Sequence, residues 1–581
     1  MTVDQGLAQR VAEWIAADPD PQTRDELRAL LERGEAPELG DRFAAPLEFG
    51  TAGLRGVVGG GPRRMNRAVV ARATAGLCAE LVAQVAGARE RGLCIGFDGR
   101  RHSRDFAEEV AAVAAAAGFR VLRFEHVVPT PLLAFAVRDR GAAGGVMITA
   151  SHNPPAYNGY KVYWEDGAQI VPPVDAAIAD RIAHAGPARA LPRLDASERR
   201  TRDRDRTLGE DLTRRYLDGV KAMLPPRAGP PSIRIAHTAL HGVGAPLVRA
   251  ALREAGFDDV VEVTEQAEPD PDFPTVAFPN PEEPGAMDRV LELARASDAD
   301  LVLANDPDAD RLAVAVRDGT GRHVVLDGNQ VGCLLGHYLL AEGSQEPGRL
   351  VLATVVSSPL LREIARVHGA RFAQTLTGFK WIARRAAELE RDEGLRFVFG
   401  YEEALGYCAG NLVRDKDGIS AAVLVAAMAA WCRARGQTLL DMLEALAREH
   451  GLFASRQVSV TCDERGGHDR IAAMMRTARD TSPDRLGGLN VIAVQDVQRG
   501  TRTDREGQTR TLPLPPSNLL VIELEGGHRA MLRPSGTEPK LKYYVDVRVP
   551  LAPGESPPEA RVRAEVLIDA IVRDLRAHVE R

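Results

Sequence analysis

Cysteine is scarce: six in 581 residues, at 78, 94, 333, 408, 432 and 462, with no C-x-x-C pair among them. That argues against a disulfide frame or a thiolate zinc site and predicts reduced core thiols. Long apolar runs are also missing. The most apolar one, AAVLVAAMAAWC (421–432), is too short to span a bilayer and predicts a buried helix. The opening MTVDQGLAQRVAEW holds no apolar signal core, so a cytoplasmic protein with no membrane contact is expected. There is no excess of positive charge. A net charge of −7 and a pI near 6.1 leave no basic footprint for nucleic acid or an anionic membrane. A local basic pocket for a small anion stays open. Two catalytic or metal signatures are absent as well. No G-x-S-x-G exists, so a hydrolase nucleophile elbow is not supported. In the acidic stretch LVLANDPDADRLAVAV (301–316), an EF-hand loop would need Gly and Glu where Arg311 and Arg317 stand.

What is present is the balance of a soluble globular chain, 45% hydrophobic and 27% charged, long enough for large cores. Its length suggests about four domains. Strand and helix alternate. LCIGFD (93–98) reads as a strand, Ser103 opens a helix that Gly118 closes, and FRVLRF follows as a strand. The same order returns in IRIAHTA (233–239) with its helix, Gly256 and DDVVEV. It returns again in LVLATVV (350–356), with Ser358 as N-cap, Pro359 as first helical residue, Gly369, and RFAQTL. Three such units predict three related α/β domains with mixed sheets. DASERRTRDRDRTLGED (195–211) reads as a solvated connection. After FASRQVSV the pattern changes to strands NLLVIELEGG and LKYYVDVRV and a final helix (558–580), a C-terminal α+β domain. Within it, 499–517 reads as a polar loop. The expected boundaries are 1–206, 207–325, 326–452 and 453–581.

Five stretches carry chemistry. In GVMITASHNPPAYNGYK (145–161) an apolar strand delivers Ser151 to its end, where α/β sheets place their sites, and two prolines follow. Taken alone, Ser151 is equally a turn or cap residue, and His152 a structural hydrogen-bonder. Asp306, Asp308 and Asp310 recur at spacing two. In an extended loop they would point one way and repel unless a cation sat among them. A hard divalent ion with open positions, most simply Mg²⁺, fits, and Arg311 beside it could hold a phosphate oxygen. RPSGTEPKLKYY (533–544) surrounds Gly536 with Arg533, Ser535, Thr537 and Lys540, the makings of an anion cradle. GYEEALGYCAGNLVRDKDG (400–418) pairs Glu402 and Glu403 between glycines, suited to accepting from hydroxyl groups. TLTGFK (375–380) ends a strand with Thr377 and Lys380.

Together these stretches resemble the α-D-phosphohexomutase superfamily. TASHNPPAYNGYK is similar to its phosphoserine loop, DPDADR to its metal loop, GYEEALGY to its sugar loop and RPSGTEP to its phosphate loop. TAGLRG (51–56) is similar to its N-terminal signature. The resemblance runs from about residue 45 to 548 in the family's order. It is nearest to the branch of phosphoglucomutase-2, phosphopentomutase and related bacterial phosphosugar mutases.

The resemblance implies four domains around a central cleft, the three α/β domains followed by the α+β domain. It implies a phosphate carried on Ser151, which would face that cleft with little packing of its own. That phosphate would pass to a sugar monophosphate, giving a bisphosphate that turns round and returns its other phosphate. The implied metal ligands are Ser151 (through its phosphate), Asp306, Asp308 and Asp310. Arg55, His152 and Lys161 become candidates for proton transfer and charge stabilisation. Thr377, Lys380, Glu402, Ala404, Lys416 and Arg311 become substrate contacts, and Arg533, Ser535, Gly536 and Thr537 the cradle for the non-reacting phosphate. Sugar phosphates are the expected partners, a sugar bisphosphate such as glucose 1,6-bisphosphate the activator, and a monomer or dimer the expected assembly. The sugar is expected to be glucose or mannose phosphate, with a pentose phosphate as the alternative. A metal-dependent sugar phosphatase and a non-catalytic sugar-phosphate sensor are competing readings. Many hexose-handling members have Ser where this chain has Ala404, which predicts broad sugar tolerance.

Overall fold

A computed structural model describes residues 3–49, 53–226, 233–462, 466–535 and 540–580. The chain forms two compact units, one of residues 1–327 with 405–431 and the other of 328–404 with 432–581.

One layout occurs three times. Leu93–Phe97 pairs in parallel with Val121–Arg123 on one side and Gly144–Ile148 on the other. Ile235–Thr238 sits in the same way between Val260–Glu262 and Leu301–Asn305. Arg349–Thr354 sits between Arg371–Thr375 and Arg396–Glu402. In each copy the first strand is central, the second and third flank it, and helices make the crossovers: Ser103–Ala116 and Thr130–Asp139, Ala245–Glu254 and Asp288–Ala296, Leu360–Val367 and Phe379–Glu393. Parallel strands so covered are apolar on both faces. Gly144–Ile148 and Leu301–Asn305 are buried at every residue.

In the first unit, the first two copies each gain an antiparallel strand after the third parallel one. Tyr157–Trp164 folds back on Gly144–Ile148, and Leu312–Arg317 on Leu301–Asn305. Leu54–Val57 and His323–Leu326 extend those edges. Three N-terminal helices, Gln5–Ala17, Pro21–Glu32 and Ala36–Arg42, share a small core of Leu7, Val11, Ile15, Leu27, Leu30 and Leu39.

The expected solvated connection at 195–211 is structured. A helix, Ala196–Thr201, is opened by a capping box of Asp195 and Glu198, and Asp205–Thr207 adds a parallel strand beside Val121–Arg123. Arg199 is 1% exposed because Asp205 and Glu108 pair with its guanidinium. Charge in that stretch thus signals internal pairing. Pro359 precedes the helix Leu360–Val367 by one residue, while Ser358 Oγ accepts from the Leu360 N–H.

In the second unit the C-terminal strands form one antiparallel sheet, in the order Leu452–Thr461, Lys540–Val549, His528–Pro534, Leu520–Leu524, Leu489–Asp496, Thr501–Asp504, Thr509–Thr511. Its strands alternate faces with period two. Leu520, Ile522 and Leu524 join the core under the helices Gly467–Asp480 and Pro557–Val579. Val521, Met531 and Tyr544 pack with Val355, Val356 and Leu376 instead. The expected polar loop at 499–517 contains two paired strands, Thr501–Asp504 and Thr509–Thr511. Their threonines suit an exposed ribbon, a signal that the surrounding arginines mask. The run 421–432 is a buried helix as expected, within Gly418–Arg433, and the six cysteines are buried and form no disulfide.

Candidate active site

In every copy of the layout the third parallel strand ends in one of the motif stretches. Gly144–Ile148 runs into Ser151, Leu301–Asn305 into the three aspartates, and Arg396–Glu402 ends on Glu402. Carboxyl ends of parallel strands are where open α/β sheets bind ligands.

Ser151 has a left-handed φ of +53°. For a residue with a Cβ this is costly unless neighbours fix it. Thr149 Oγ1 accepts from the Ser151 N–H at 2.8 Å. Arg100 donates to the carbonyls of Ser151 (2.6 Å), Asn153, Pro154 (2.9 Å) and Tyr157 (3.2 Å). Asp98 lies 3.4 Å from Arg100 Nε and accepts from Ser103 Oγ at 2.6 Å. Burial raises the Asp98 carboxyl's pKa, against the opposing pull of Arg100. Arg55 Nη1 donates to Asn153 Oδ1 at 2.9 Å. The prolines of this loop thus continue a turn that one guanidinium clamps. Ser151 is 1% exposed, against the expectation of an open hydroxyl: the loop that carries Asp306 covers it.

Ser151 Oγ donates to Asp306 Oδ2 at 2.7 Å and lies 3.2 Å from His152 Nδ1. One hydroxyl hydrogen cannot serve both acceptors, so either His152 carries its proton on Nδ1 or Asp306 carries one. Burial, reinforced by Arg311 and Arg55, pushes His152 well below the ordinary histidine range, so its imidazole is neutral. Adjacency in sequence does not keep it from the serine hydroxyl, because the left-handed turn at Ser151 folds the ring back.

The three aspartates converge, but not as an extended strand would arrange them. Ala309 has a φ of +55° and donates from its N–H to Asp306 O at 2.9 Å, a tight turn. The remaining carbonyls are anchored: Val243 N donates to Pro307 O and Thr130 N to Asp308 O. Gly242 permits this approach, since a Cβ there would lie 2.3 Å from Pro307 Cα.

The donors divide the carboxylate oxygens. Lys161, 1% exposed, donates to Asp308 Oδ2 at 2.6 Å and Asp310 Oδ2 at 2.9 Å. Thr130 Oγ1 donates to Asp308 Oδ2 at 2.7 Å, and Lys416 Nζ lies 3.2 Å from Asp310 Oδ2. Asp306 Oδ1 accepts from the Arg311 N–H. Asp308 Oδ1 and Asp310 Oδ1 are buried with no hydrogen-bond partner among the described residues. Unpartnered buried carboxylate oxygens are costly, and an oxygen-seeking cation between them would satisfy both. One oxygen from each aspartate lies within 4.8 Å of the others, so the group could hold a metal ion. Burial and the neighbouring carboxylates raise Asp306 well above the usual range. Burial works the same way on Asp308 and Asp310, with Asp310 adding to it at Asp308, but Lys161 and a bond with Asp306 at Asp308, and Lys161, Lys416 and Arg311 at Asp310, together hold both low. Burial likewise opposes the charge on Lys161, and the two aspartates overcome it. Arg311 Nε is 3.9 Å from Asp310 Oδ1. Lys416 also meets Asp415, which accepts from Tyr163 and Gln169.

The remaining sequence candidates belong to the second unit. Thr377 follows the parallel strand Arg371–Thr375, and its buried hydroxyl has no hydrogen-bond partner among the described residues. Lys380 lies in the first turn of Phe379–Glu393, and Ala404 follows Glu402 by two. Glu403 accepts from the chain's own hydroxyls, Thr354 Oγ1 at 3.0 Å and Ser357 Oγ at 3.1 Å. Arg533 is on the strand His528–Pro534 and Ser535 N donates to Lys540 O at 2.8 Å. Gly536 and Thr537, with Thr51 and Ala52 of the N-terminal signature, lie outside the described residues.

Sequence reasoning missed Asp98, Arg100 and Thr130. FDGRRHS (97–103) and VVPTPLL (127–133) carry them directly after or before regular elements. Polar residues at strand ends and helix starts were the available signal. Among the described residues no helix is long and apolar enough to cross a membrane.

Three family models match in order: phosphoglucomutase/phosphomannomutase alpha/beta/alpha domain I at residues 46–189, domain II at 214–319 and domain III at 327–450. The phosphopentomutase of Mus musculus is 36% identical over 579 residues, spanning 96% of this chain and 92% of that protein. A probable phosphomannomutase of Haemophilus influenzae is 39% identical over 509 residues, 86% of this chain and 96% of that protein. The crystal structure of a putative phosphomannomutase from Thermus thermophilus matches 90% of this chain and 99% of its own, at 26% identity and a TM-score of 0.66. With three matched domains and full-length relatives, the chain belongs to the phosphoglucomutase/phosphomannomutase family of phosphosugar mutases.

Proposed function

We propose that this mutase carries phosphate on Ser151 and moves it between C1 and C6 of a hexose phosphate, glucose or mannose, through a sugar bisphosphate. The observation that carries the reading is the Ser151 hydroxyl 2.7 Å from Asp306, within a group of three aspartates able to hold a cation. Asp306, Asp308, Asp310 and a phosphoserine oxygen would hold Mg²⁺, which supplies neutralisation of charge on the transferring group.

The substrate's free hydroxyl oxygen bonds phosphorus as the Oγ–P bond of phospho-Ser151 breaks. Neutral His152, with Nδ1 at 3.2 Å, takes up the proton that the substrate hydroxyl releases and delivers it to the departing Ser151 Oγ, and the return transfer runs the same steps in reverse. Lys161 is already committed to two carboxylates, so it and Arg55 stabilise charge rather than shuttle protons. Arg311 and Lys416 contact the reacting phosphate end. Thr377, Lys380 and Glu402 read the sugar beside Ala404, and Arg533, Ser535, Gly536 and Thr537 cradle the distant phosphate. The roles divide among domains bounded at 206, 325 and 452. Glucose 1,6-bisphosphate serves as activator, in a cytoplasmic monomer or dimer.

A second reading, transfer between C1 and C5 of a pentose phosphate, draws on the mouse relative named phosphopentomutase. Initial rates on glucose, mannose, ribose and deoxyribose 1-phosphates, with Mg²⁺ and a trace of bisphosphate, separate the two. Free phosphate in stoichiometric yield would make the protein a phosphatase. Full activity in EDTA after dialysis would remove the metal from the mechanism.

A further inference from the structure

We infer that Thr130 is a positioning residue for the metal loop, holding the Asp308 carboxylate so that Oδ1 is the oxygen offered to a divalent cation. The inference rests on the metal reading proposed above and adds a residue outside the metal-loop and serine-loop motifs.

Thr130 is the first residue of the helix Thr130–Asp139, between Pro129 and Pro131. A helix N-terminus leaves its first N–H groups without intrahelical partners. The Thr130 N–H donates instead to Asp308 O at 2.9 Å, while Thr130 Oγ1 donates to Asp308 Oδ2 at 2.7 Å. One residue thus grips both the backbone and the side chain of Asp308, and it is fully buried. Lys161 Nζ reaches the same Oδ2 at 2.6 Å. A single donor leaves a carboxylate free to swing about that bond, whereas two donors on one oxygen fix its plane. The partner oxygen, Asp308 Oδ1, is then buried without a hydrogen bond. Asp310 shows the same division, with two ammonium groups at Oδ2 and an Oδ1 that makes no hydrogen bond among the described residues, Arg311 Nε standing off at 3.9 Å. At Asp308 the second donor is a neutral hydroxyl, which orients the ligand without adding positive charge beside the cation. Groups that orient metal ligands in this way commonly affect metal affinity by about 10–100-fold.

The test is Mn²⁺ binding to the full-length, unphosphorylated protein by isothermal titration calorimetry, on the wild type, Thr130→Val, Thr130→Ser and Asp308→Asn. Thr130→Val should bind Mn²⁺ about 10–100-fold more weakly, Thr130→Ser close to the wild type, and Asp308→Asn most weakly. Wild-type affinity in Thr130→Val, with Asp308→Asn impaired, overturns the inference and leaves the metal reading standing. Equal loss in Thr130→Ser and Thr130→Val also overturns it, since keeping the hydroxyl would then not keep the affinity. Absence of Mn²⁺ binding in the wild type overturns the metal reading itself. Should Thr130→Val fail to fold by thermal melting, Thr130→Ala removes the same hydroxyl and is read the same way.

Discussion

Ser151 Oγ and Asp306 Oδ2 lie 2.7 Å apart although 155 positions separate them in the chain. Each follows the third parallel strand of its own copy of one layout, so two repeats meet at their functional ends. Ser151→Ala should abolish turnover and phosphate incorporation from labelled bisphosphate. Losing the hydroxyl leaves the buried Asp306 Oδ2 without its donor, so a stability cost of about 1–3 kcal/mol is expected. Labelling near the wild-type level would end the phosphoserine reading.

Arg100 should matter through the loop it clamps. Arg100→Lys keeps the charge but loses the planar fork that spans four carbonyls. We expect kcat to fall by about tenfold or more with KM little changed, because the misplaced group is the reacting serine. Steady-state kinetics beside a melting curve decide this. A parallel rise in KM at unchanged kcat would place Arg100 in substrate binding instead.

Arg533→Ala should raise KM more than it lowers kcat. A cradle for the distant phosphate stabilises ground and transition states alike, and only part of its binding energy aligns the reacting end. An unchanged KM would remove Arg533 from the cradle.

Ala404 offers no hydrogen bond where a serine could offer one, worth roughly 0.5–1.5 kcal/mol. Broad tolerance is the expected result, with hexose and pentose phosphates turned over within a few orders of magnitude. Ala404→Ser should sharpen the preference among hexoses. A wild-type preference above about a millionfold in kcat/KM, or ~8 kcal/mol, would contradict this.

Acid should weaken the second unit through His337. Burial, with His368 beside it at 3.3 Å, lowers His337 to about 4. The unfolded chain, at an ordinary value near 6.5, takes up a proton that the folded one refuses. Stability is therefore complete above about pH 6.5 and declines toward pH 4, by up to about 1.4 kcal/mol per unit. His337→Gln should flatten that decline in denaturant titrations at pH 7 and pH 5. Equal losses in both proteins would assign the acid sensitivity elsewhere.

The sequence determined the repeated strand–helix alternation, because buried parallel strands and capped crossover helices each leave a local signature. It also determined the chemistry-bearing residues whose types have few other uses together: Ser151 at a strand end, and three aspartates at spacing two. Tertiary structure alone decided how those residues act. The aspartates converge through the left-handed turn at Ala309, not through strand alternation. Lys161 is a committed counter-ion, since register places it beneath Asp308 and Asp310. Glu402 and Glu403 look alike in sequence, and only the fold brings Thr354 and Ser357 to Glu403. Arg199, Arg100 and Thr130 carry no local sign of Glu108, the Ser151 carbonyl and Asp308, which meet them from 91, 51 and 178 positions away. A side chain's partner far along the chain depends on packing, and no local pattern encodes it.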